Sequence, residues 1–385
     1  MSESTKKVID VLDSVIDEDN IAGSQLDGTQ LEITLKGVPV VTFPIEVEKF
    51  CEIKKSGESE IRRLAFIDGG NRAIINAANF VVQFNRVCFT IYKEENKGEK
   101  KEERMCSANS LPDMEEFFSI TYTKFENSTL YYKNELVPTT KHVVLPDKND
   151  LSFSAADRRI GASAFRADIE RVSTVPRRFS ELLYASTLVE AELSENDVVI
   201  IDGSLQVAYP NENKYSQKLF KAASDRGVIA MGIPKRCRLY TNTGLSIVAA
   251  VSKLAEKCPY KMWYLPIAEV NSYPFYAAKI YMVKLNPNAN HIYRLEIYLP
   301  HAKKLEEENK LNDLFIRLAK NSQDPTLPGY PYGLVHADLK ARVRKEERDI
   351  LHALLLDEGK RLGKIEKLLR NISATDTHDM LNQLG

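Results

Sequence analysis

The stretch "VVIIDGSLQ", residues 198–206, decides the fold class of this chain. Four apolar, β-branched residues run directly into an aspartate, which is typical of a buried strand that ends in a turn. Nearly the same pattern, "LAFIDGGN", stands at residues 64–71. If the two strands are neighbours in one sheet, the pattern predicts that Asp68 and Asp202 lie close together.

An Asp-Gly pair after a strand has two interpretations. Asp-Gly is among the commonest turn dipeptides, so a single copy indicates no more than a turn. Two copies after similar strands make a shared site an equal alternative, because glycine lets another group approach the backbone. Two nearby carboxylates repel each other, and a divalent cation removes that conflict. Oxygen ligands alone favour Mg²⁺ or Mn²⁺, and a pair of such ions can assist phosphoryl transfer.

The composition is that of a globular protein. The chain has 385 residues, enough for one large domain or two ordinary ones. The apolar fraction is 43% and the charged fraction 28%, and 53 basic against 54 acidic residues leave a formal net charge of -1. This balance excludes a general attraction to polyanions, so a nucleic-acid site must be a local basic patch.

Cysteine spacing and the N-terminal sequence bear on the compartment. The five cysteines are widely scattered and form no C-x-x-C pair, which argues against a zinc module and a disulfide framework. The opening "MSESTKKVIDVLDSVIDEDN" is charged throughout and lacks the apolar core of a signal peptide. No apolar run is long enough to span a bilayer. We therefore expect a cytoplasmic protein without a membrane segment.

The order of the periodic segments predicts a mixed α/β fold. An amphipathic helix opens the chain, and a β-rich region extends over residues 62–123. Residues 154–194 are mostly helical, and strands alternate with helices over residues 197–257. Helical spacing also predicts one helix over residues 305–321 and a long helix from about Leu334. Such alternation predicts a mixed sheet with helices packed on it.

The most specific stretch is "GYPYGLVHADLKARV", residues 329–343, in which a Gly-Tyr-Pro turn leads into a helix. Together with "AFIDGG", "RRFSELL", "IIDGSL" and "GIPK", in that order, it resembles the NurA family of nucleases. The resemblance implies an RNase H-like mixed sheet flanked by helices, in a nuclease domain over residues 62–350. Residues 1–61 are then an N-terminal extension of a helix and strands, and residues 351–385 a C-terminal helical tail.

The resemblance also implies an activity and partners. NurA proteins degrade DNA with manganese, form homodimers and work with the hexameric translocase HerA in processing DNA ends. We therefore expect a Mn²⁺- or Mg²⁺-dependent deoxyribonuclease with two metal ions, acting in double-strand break repair, with exonuclease and endonuclease action both left open. The metal ligands implied by the matching motifs are Asp68, Glu181, Asp202 and Asp338, with Glu190 as the alternative to Glu181.

His336 is a second candidate beside Asp338. It lies two residues earlier on the same predicted helix, so only one of the two side chains can face the metals. Motif register favours Asp338 as the ligand. The other interpretation of His336 is a histidine at the start of a helix, hydrogen-bonded locally or exposed.

Cations and an aromatic residue near the motifs are candidates for binding DNA. Lys235 matches the family's lysine after the strand "VIAMGIPK" and is placed to hold a phosphate or to neutralise the transition state. Arg236 and Arg238 extend that basic patch, although a solvated strand end explains them equally well. Tyr330 is a candidate for stacking on a base, while a tyrosine in such a turn more often packs locally.

Two other functions fit parts of the sequence. An actin-like or sugar-kinase-like ATPase shares the RNase H-like core and binds ATP phosphates at Asp-Gly turns. It also needs a glycine-rich adenosine-binding turn, which the 17 glycines of this chain support poorly. A non-enzymatic adaptor would use the terminal helices as docking elements. Metal-dependent cleavage of DNA separates the nuclease from both alternatives.

Overall fold

The computed structural model describes most of the chain. The described residues are 3–16, 31–32, 40–54, 60–94, 100–102, 111–139, 144–157, 159–160, 168–242, 244–364 and 366. Residues 17–30 of the predicted N-terminal extension and residues 367–385 of the predicted C-terminal tail lie outside this part. Among the described helices, none combines the length and the apolar character that a membrane span requires.

The chain divides into two compact units, each built from two segments. Unit 1 comprises Met1–Ser59 and Gly232–Pro331, and unit 2 comprises Glu60–Met231 and Tyr332–Gly385. All four carboxylates that the family motifs predict as ligands belong to unit 2. The three-part division predicted from the sequence, with boundaries after residues 61 and 350, stays a prediction.

Strands and helices are numbered in chain order. The described strands are β1 (Leu31–Glu32), β2 (Val40–Thr42), β3 (Cys51–Glu52), β4 (Arg63–Asn76), β5 (Phe80–Glu94), β6 (Lys100–Glu102), β7 (Met114–Glu126), β8 (Thr129–Pro138), β9 (Phe153–Ser154), β10 (Val198–Asp202), β11 (Ile229–Ile233), β12 (Tyr240–Thr241), β13 (Trp263–Ser272), β14 (Tyr276–Lys284) and β15 (Tyr293–Tyr298). The described α-helices are α1 (Glu3–Ile16), α2 (Ile169–Ser173), α3 (Val175–Ala191), α4 (Glu212–Arg226), α5 (Ile247–Ala255), α6 (Leu299–Glu307), α7 (Leu311–Asn321), α8 (Tyr332–Ala341) and α9 (Lys345–Arg361).

The sheet of unit 2 is mixed. Its strands lie in the order β9, β8, β7, β5, β4, β10 and β11, and β6 pairs with β5. The strands from β4 to β8 pair antiparallel, whereas β10 runs parallel to β4. Helices α3 and α8 pack against β4 and β5. This large mixed sheet flanked by helices confirms the fold class predicted from the sequence.

The pairing of β4 with β10 explains why the two Asp-Gly motifs match. Leu64 pairs with Val198 and Ile67 with Ile201, and Asp68 and Asp202 follow the last of these pairs. The expectation that both strands end at an aspartate is right for one strand only. Strand β10 ends at Asp202, but β4 continues to Asn76 because it keeps pairing with β5 beyond Asp68.

A buried ion pair fixes the opposite end of the same two strands. Asp197 is fully buried, and its Oδ2 accepts hydrogen bonds from Nε and Nη2 of Arg63 at 3.0 and 2.6 Å. Its Oδ1 accepts the backbone N–H of Arg63 at 3.1 Å, and Oδ2 also accepts that of Ser194 at 2.8 Å. Because this carboxylate binds both the guanidinium and the backbone of Arg63, it holds the starts of β4 and β10 in register.

Core packing anchors the helices that carry the other predicted carboxylates. Phe179 and Leu188 of α3 are fully buried. Helix α8 approaches β4 closely because Gly333 lies against the ring of Phe66, and Thr90 donates to the carbonyl of Gly333 at 3.1 Å. Burying a leucine or phenylalanine side chain contributes about 1.5–3 kcal/mol, so both helices are held by more than their hydrogen bonds.

Two predicted helices are each broken in the structure. The helix predicted over residues 305–321 is divided into α6 and α7, because Asn309 adopts a φ of 56°, which asparagine tolerates. The helix predicted from Leu334 is divided into α8 and α9. This break follows Ala341, whose carbonyl packs against Gly70. Arg86 then binds the carbonyl of Arg342, in place of a helical N–H.

Unit 1 has an antiparallel sheet. Strand β13 pairs with β14 and β14 with β15, while β2 and β3 pair with β13. Trp263, Ile280 and Leu295 are buried in its core. The ring of Tyr264 stacks on that of Phe315 from α7, with centroids 4.3 Å apart, so this helix covers the sheet.

Candidate metal centre

Three carboxylates converge at the end of the β4–β10 pair. Asp68, Asp202 and Asp338 each offer one oxygen, and these oxygens all lie within 4.8 Å of one another. The first two residues stand on neighbouring strands, and the third stands on α8. Asp68 is buried and the other two are partly exposed, so a ligand can reach the cluster from solvent.

The donor set of this cluster fits a hard divalent cation. All three side chains are carboxylates, and the group includes no sulfur or nitrogen ligand. Mg²⁺ and Mn²⁺ prefer oxygen ligands of this kind. Three carboxylates at such separations repel one another unless a cation lies among them. The residues present therefore fit the metal that the sequence predicts.

The two glycines after Asp68 make room for two neighbouring elements. The N–H of Gly69 donates to Oδ1 of Asp68 at 2.7 Å, which orients the carboxylate. A Cβ atom on Gly69 would overlap Oε1 of Glu181, and one on Gly70 would overlap the carbonyl oxygen of Ala341. Glycine is needed here because a side chain of α3 and the end of α8 press against the strand.

Glu181 lies near Asp68 but outside the group of three. The residue is 2% exposed, and its carboxylate pairs with Arg177, which also donates to the carbonyl of Gly69 at 2.9 Å. Nη1 of Arg178 lies 3.5 Å from the other carboxylate oxygen. Burial raises the pKa of Glu181; the two arginines oppose this shift, and the charge of Asp68 adds to it.

Arg178 links α3 to the loop that follows Asp202. Its Nε lies 2.8 Å from Oε1 of Glu212, and its Nη2 donates to the carbonyl of Ser204 at 3.0 Å. Glu212 in turn accepts two backbone N–H groups of the same loop, at 2.7 and 3.0 Å. The network therefore ties the loop after Asp202 to the helix that carries Glu181.

Helix α8 brings Asp338, and not His336, to the other carboxylates. Nδ1 of His336 lies 2.8 Å from the hydroxyl of Tyr92, so the imidazole is engaged on β5. At the end of the helix, Nη2 of Arg342 lies 2.7 Å from Oδ2 of Asp338. The catalytic roles of Asp338 and His336 stay predictions.

The remaining predicted site residues lie outside the cluster. Glu190 is exposed near the end of α3. Tyr330 of unit 1 is 6% exposed, and its ring packs 5.2 Å from that of Tyr293. The predicted cations are exposed after β11, in unit 1: Lys235, Arg236 and Arg238. The roles of these residues in binding metal or DNA stay predictions.

A buried thiol opposite Asp68 does not supply a nucleophile. Cys88 pairs with Asp68 across β4 and β5, and its Sγ donates to the carbonyl of Ala337 at 3.2 Å. Burial, and then the negative charge of Asp68, raise the pKa of Cys88 to about 12. The thiol is therefore protonated at neutral pH, and the carboxylates dominate the chemistry of the site.

Sequence reasoning missed the arginines that pair with the site carboxylates. Arg177 pairs with Glu181, and Arg342 with Asp338, each at a spacing of four residues. This spacing is visible in "RRFSELL" and "HADLKAR" once both segments are assigned to helices.

A comparison with protein families identifies a domain over most of the chain. The family described as "NurA domain" matches residues 62–343. The matched part contains Asp68, Glu181, Asp202 and Asp338. A search of curated proteins gave no match.

Solved nuclease structures are similar to parts of the chain at low identity. The NurA nuclease from Sulfolobus solfataricus is 14% identical, with a TM-score of 0.49, over 94% of this chain and 98% of that one. Endonuclease V of Ciona intestinalis, in complex with a 24mer DNA containing an inosine followed by a ribo-adenosine, is 13% identical, with a TM-score of 0.34, over 76% of this chain and 88% of that one. The catalytic domain of human endonuclease V is 10% identical, with a TM-score of 0.31, over 80% and 86%. The family assignment therefore rests on the domain match.

Proposed function

This chain belongs to the NurA family, and on that premise we propose that it is a metal-dependent deoxyribonuclease. The observation that carries the proposal is the convergence of Asp68, Asp202 and Asp338 inside the NurA domain. Such a set of carboxylates is suited to divalent cations that act on phosphodiesters. Because no side chain has to serve as nucleophile, water is the attacking group.

The three clustered aspartates and Glu181 have different places in the proposed metal site. Asp68, Asp202 and Asp338 would hold Mn²⁺ or Mg²⁺, with two ions in the complete site and Glu181 as the fourth ligand. Bound there, the ions would assist the attack of water on phosphorus and offset the charge of the leaving oxygen. Asp68 is already oriented by the N–H of Gly69. Glu181 has to give up its contact with Arg177 before it can serve as a ligand.

DNA is the proposed substrate, bound through its backbone. Lys235, Arg236 and Arg238 are exposed cations that we assign to phosphate binding. Tyr330 is 6% exposed, and its stacking on a base stays a prediction. Phosphate contacts carry no sequence information, and cleavage is expected to be independent of sequence.

The proposal extends to partners because of family membership. We assign the protein to DNA end resection in double-strand break repair, as a homodimer that works with a HerA-type hexameric translocase. The formal net charge of -1 gives the chain little general attraction for DNA. Delivery of DNA by a translocase is consistent with that charge.

Cleavage of end-labelled single- and double-stranded DNA tests the function. Wild type, Asp202→Asn and the control Asp225→Asn are compared in Mn²⁺, Mg²⁺ and EDTA; Asp225 is exposed on α4. We expect cleavage by wild type and control with metal only, and a loss of at least about 100-fold in Asp202→Asn. Undiminished cleavage by folded Asp202→Asn would refute the metal site. No cleavage with either metal and a HerA-type translocase would favour the ATPase or the adaptor.

A further inference from the structure

Arg342 pairs with one member of the carboxylate cluster and exposes most of its side chain. Its Nη2 lies 2.7 Å from Oδ2 of Asp338. The side chain of Arg342 is 60% exposed, and that of Asp338 is 32% exposed. The guanidinium therefore stands on the solvent side of the cluster, where a negatively charged substrate has to arrive.

The backbone that carries this side chain is anchored beside the metal ligands. The N–H of Arg342 donates to the carbonyl of Asp338 at 3.0 Å. Nη1 of Arg86 donates to the carbonyl of Arg342 at 3.1 Å. The preceding carbonyl, of Ala341, packs against Gly70 on β4. The backbone of Arg342 is therefore held in place, while its guanidinium is largely exposed to solvent.

The pair between Arg342 and Asp338 is easily exchanged. Exposed ion pairs at a spacing of four residues add little to stability, so separating the two groups costs little. A guanidinium binds two oxygens of a phosphate in the same fork geometry as two oxygens of a carboxylate. Once the carboxylates hold a cation, Asp338 no longer depends on Arg342 for neutralisation.

We propose that Arg342 binds a phosphate of the DNA substrate in exchange for its contact with Asp338. The proposal rests on the nuclease function proposed above and adds a substrate-binding residue to that site. Arg344 and Lys345 are exposed next to Arg342 and add positive charge, which Glu346 opposes in part. Because the contact is made to phosphate, it operates on any DNA sequence.

DNA affinity tests the proposal with a matched control. Arg342→Gln removes the charge, and Arg361→Gln is the control, since Arg361 is 70% exposed and pairs with a carboxylate on α9. A labelled duplex with phosphorothioate linkages, which slow hydrolysis in Mg²⁺, is titrated in that metal over a series of salt concentrations by fluorescence anisotropy. We expect about tenfold weaker binding for Arg342→Gln. For Arg342→Gln, the plot of log K against log salt should become less steep by about one. Arg361→Gln should match wild type in both affinity and slope.

A second variant and a second ligand separate phosphate binding from a structural role. Arg342→Lys keeps the charge, so we expect it to keep the salt slope and to recover part of the affinity. In calorimetry with Mn²⁺ and no DNA, Arg342→Gln should bind the metal at least as tightly as wild type, since Arg342 competes for Asp338. A loss of Mn²⁺ affinity would instead mean that Arg342 orients Asp338, which overturns the proposal.

The failure of this inference differs from the failure of the proposed function. If wild type binds and cleaves DNA, and a folded Arg342→Gln matches it in affinity and salt slope, only the phosphate contact is refuted. If wild type neither binds DNA nor cleaves it with Mn²⁺ or Mg²⁺, the nuclease function is refuted, and the phosphate contact with it.

Discussion

Ile67 and Ile201 are paired across the parallel strands β4 and β10, and the next residue on each strand is an aspartate. This register decides whether a site can form, because a slip by one residue would move one carboxylate to the opposite face of the sheet. The two aspartates therefore owe their proximity to strand pairing. Helix α8, which packs on β4, adds Asp338.

Asp202→Asn is expected to abolish the stabilisation of the folded chain by Mn²⁺. In EDTA the variant should be at least as stable as wild type, because one of three mutually repelling charges is removed. At about 100 times its Kd, Mn²⁺ should raise the free energy of unfolding of wild type by about 2.7 kcal/mol. Calorimetric melts in EDTA and in Mn²⁺ measure both effects, with Asp225→Asn as control. Equal stabilisation of both variants would remove Asp202 from the metal site.

Gly70→Ala is expected to cost more stability than Gly69→Ala. The added methyl group of Gly70→Ala overlaps a backbone carbonyl, that of Ala341, which has no rotamer to escape into. At Gly69 it overlaps the flexible end of Glu181. Overpacking lowers the free energy of unfolding by about 1–3 kcal/mol. We expect Gly70→Ala to lie near the upper end of that range and Gly69→Ala near the lower end. Urea denaturation measures the order, and the reverse order would contradict the packing of α8 on β4.

Glu181→Ala is expected to destabilise the protein even without metal. It removes the buried carboxylate that pairs with Arg177, and breaking a buried pair costs about 3 kcal/mol. Urea denaturation in EDTA measures the loss, which Asp202→Asn should not show. A variant as stable as wild type would contradict the ion pair. If cleavage is lost while Mn²⁺ affinity is unchanged, Glu181 serves to hold the arginines and is not a ligand.

Asp197→Ala is expected to lower the free energy of unfolding by about 3–5 kcal/mol, because it removes the buried carboxylate that binds both the side chain and the backbone N–H of Arg63. Glu358→Ala is the control, since it breaks an exposed pair with Arg361 and should change stability little. Chemical denaturation of both variants gives the difference. Equal small losses would show that the register of the two strands does not depend on the buried pair.

Glu115 is expected to make stability depend on pH. It is 5% exposed on β7, and burial raises its pKa to about 7, against a hydrogen bond from the N–H of Val144. Because the pKa of Glu115 is raised in the folded state, protonation of this carboxyl favours the folded protein. Its contribution to the free energy of unfolding is complete below the ordinary pKa of 4.5 and is lost as the pH rises through about 7. The free energy of unfolding of Glu115→Gln, measured relative to that of wild type, should therefore be higher at pH 8 than at pH 5.

Thermal melts at the two pH values measure this effect. Glu358→Gln, at an exposed position on α9, is the control and should show no such gain. A difference between Glu115→Gln and wild type that does not grow with pH would contradict the raised pKa of Glu115.

Strand patterns predicted the part of the site that depends on β4 and β10. A run of β-branched residues is suited to a strand covered on both faces, and the repeat of that run before Asp-Gly marks equivalent positions on neighbouring strands. Asp338 could be predicted as a ligand only from the ordered family motifs. No local pattern encodes which helix packs on which strand.

The contacts that the sequence did not predict are tertiary or depend on single residues. Arg177 and Glu181 have the spacing of an ordinary surface pair, and only the fold buries the carboxylate of Glu181. The break between α6 and α7 depends on the φ of Asn309. The break after α8 depends on a carbonyl that packs against Gly70, and hydrophobic periodicity reports neither feature.

The attachment of Asp338 to α8 has a consequence for the order in which the protein is made. A nascent chain on the ribosome carries Asp68 and Asp202 long before residues Tyr332–Ala341 are translated. Until α8 emerges and docks on β4, Asp338 is absent from the cluster, which then consists of Asp68 and Asp202 alone. A partly translated chain therefore lacks the complete carboxylate cluster, and any activity that needs all three side chains has to wait until the last of them has left the ribosome.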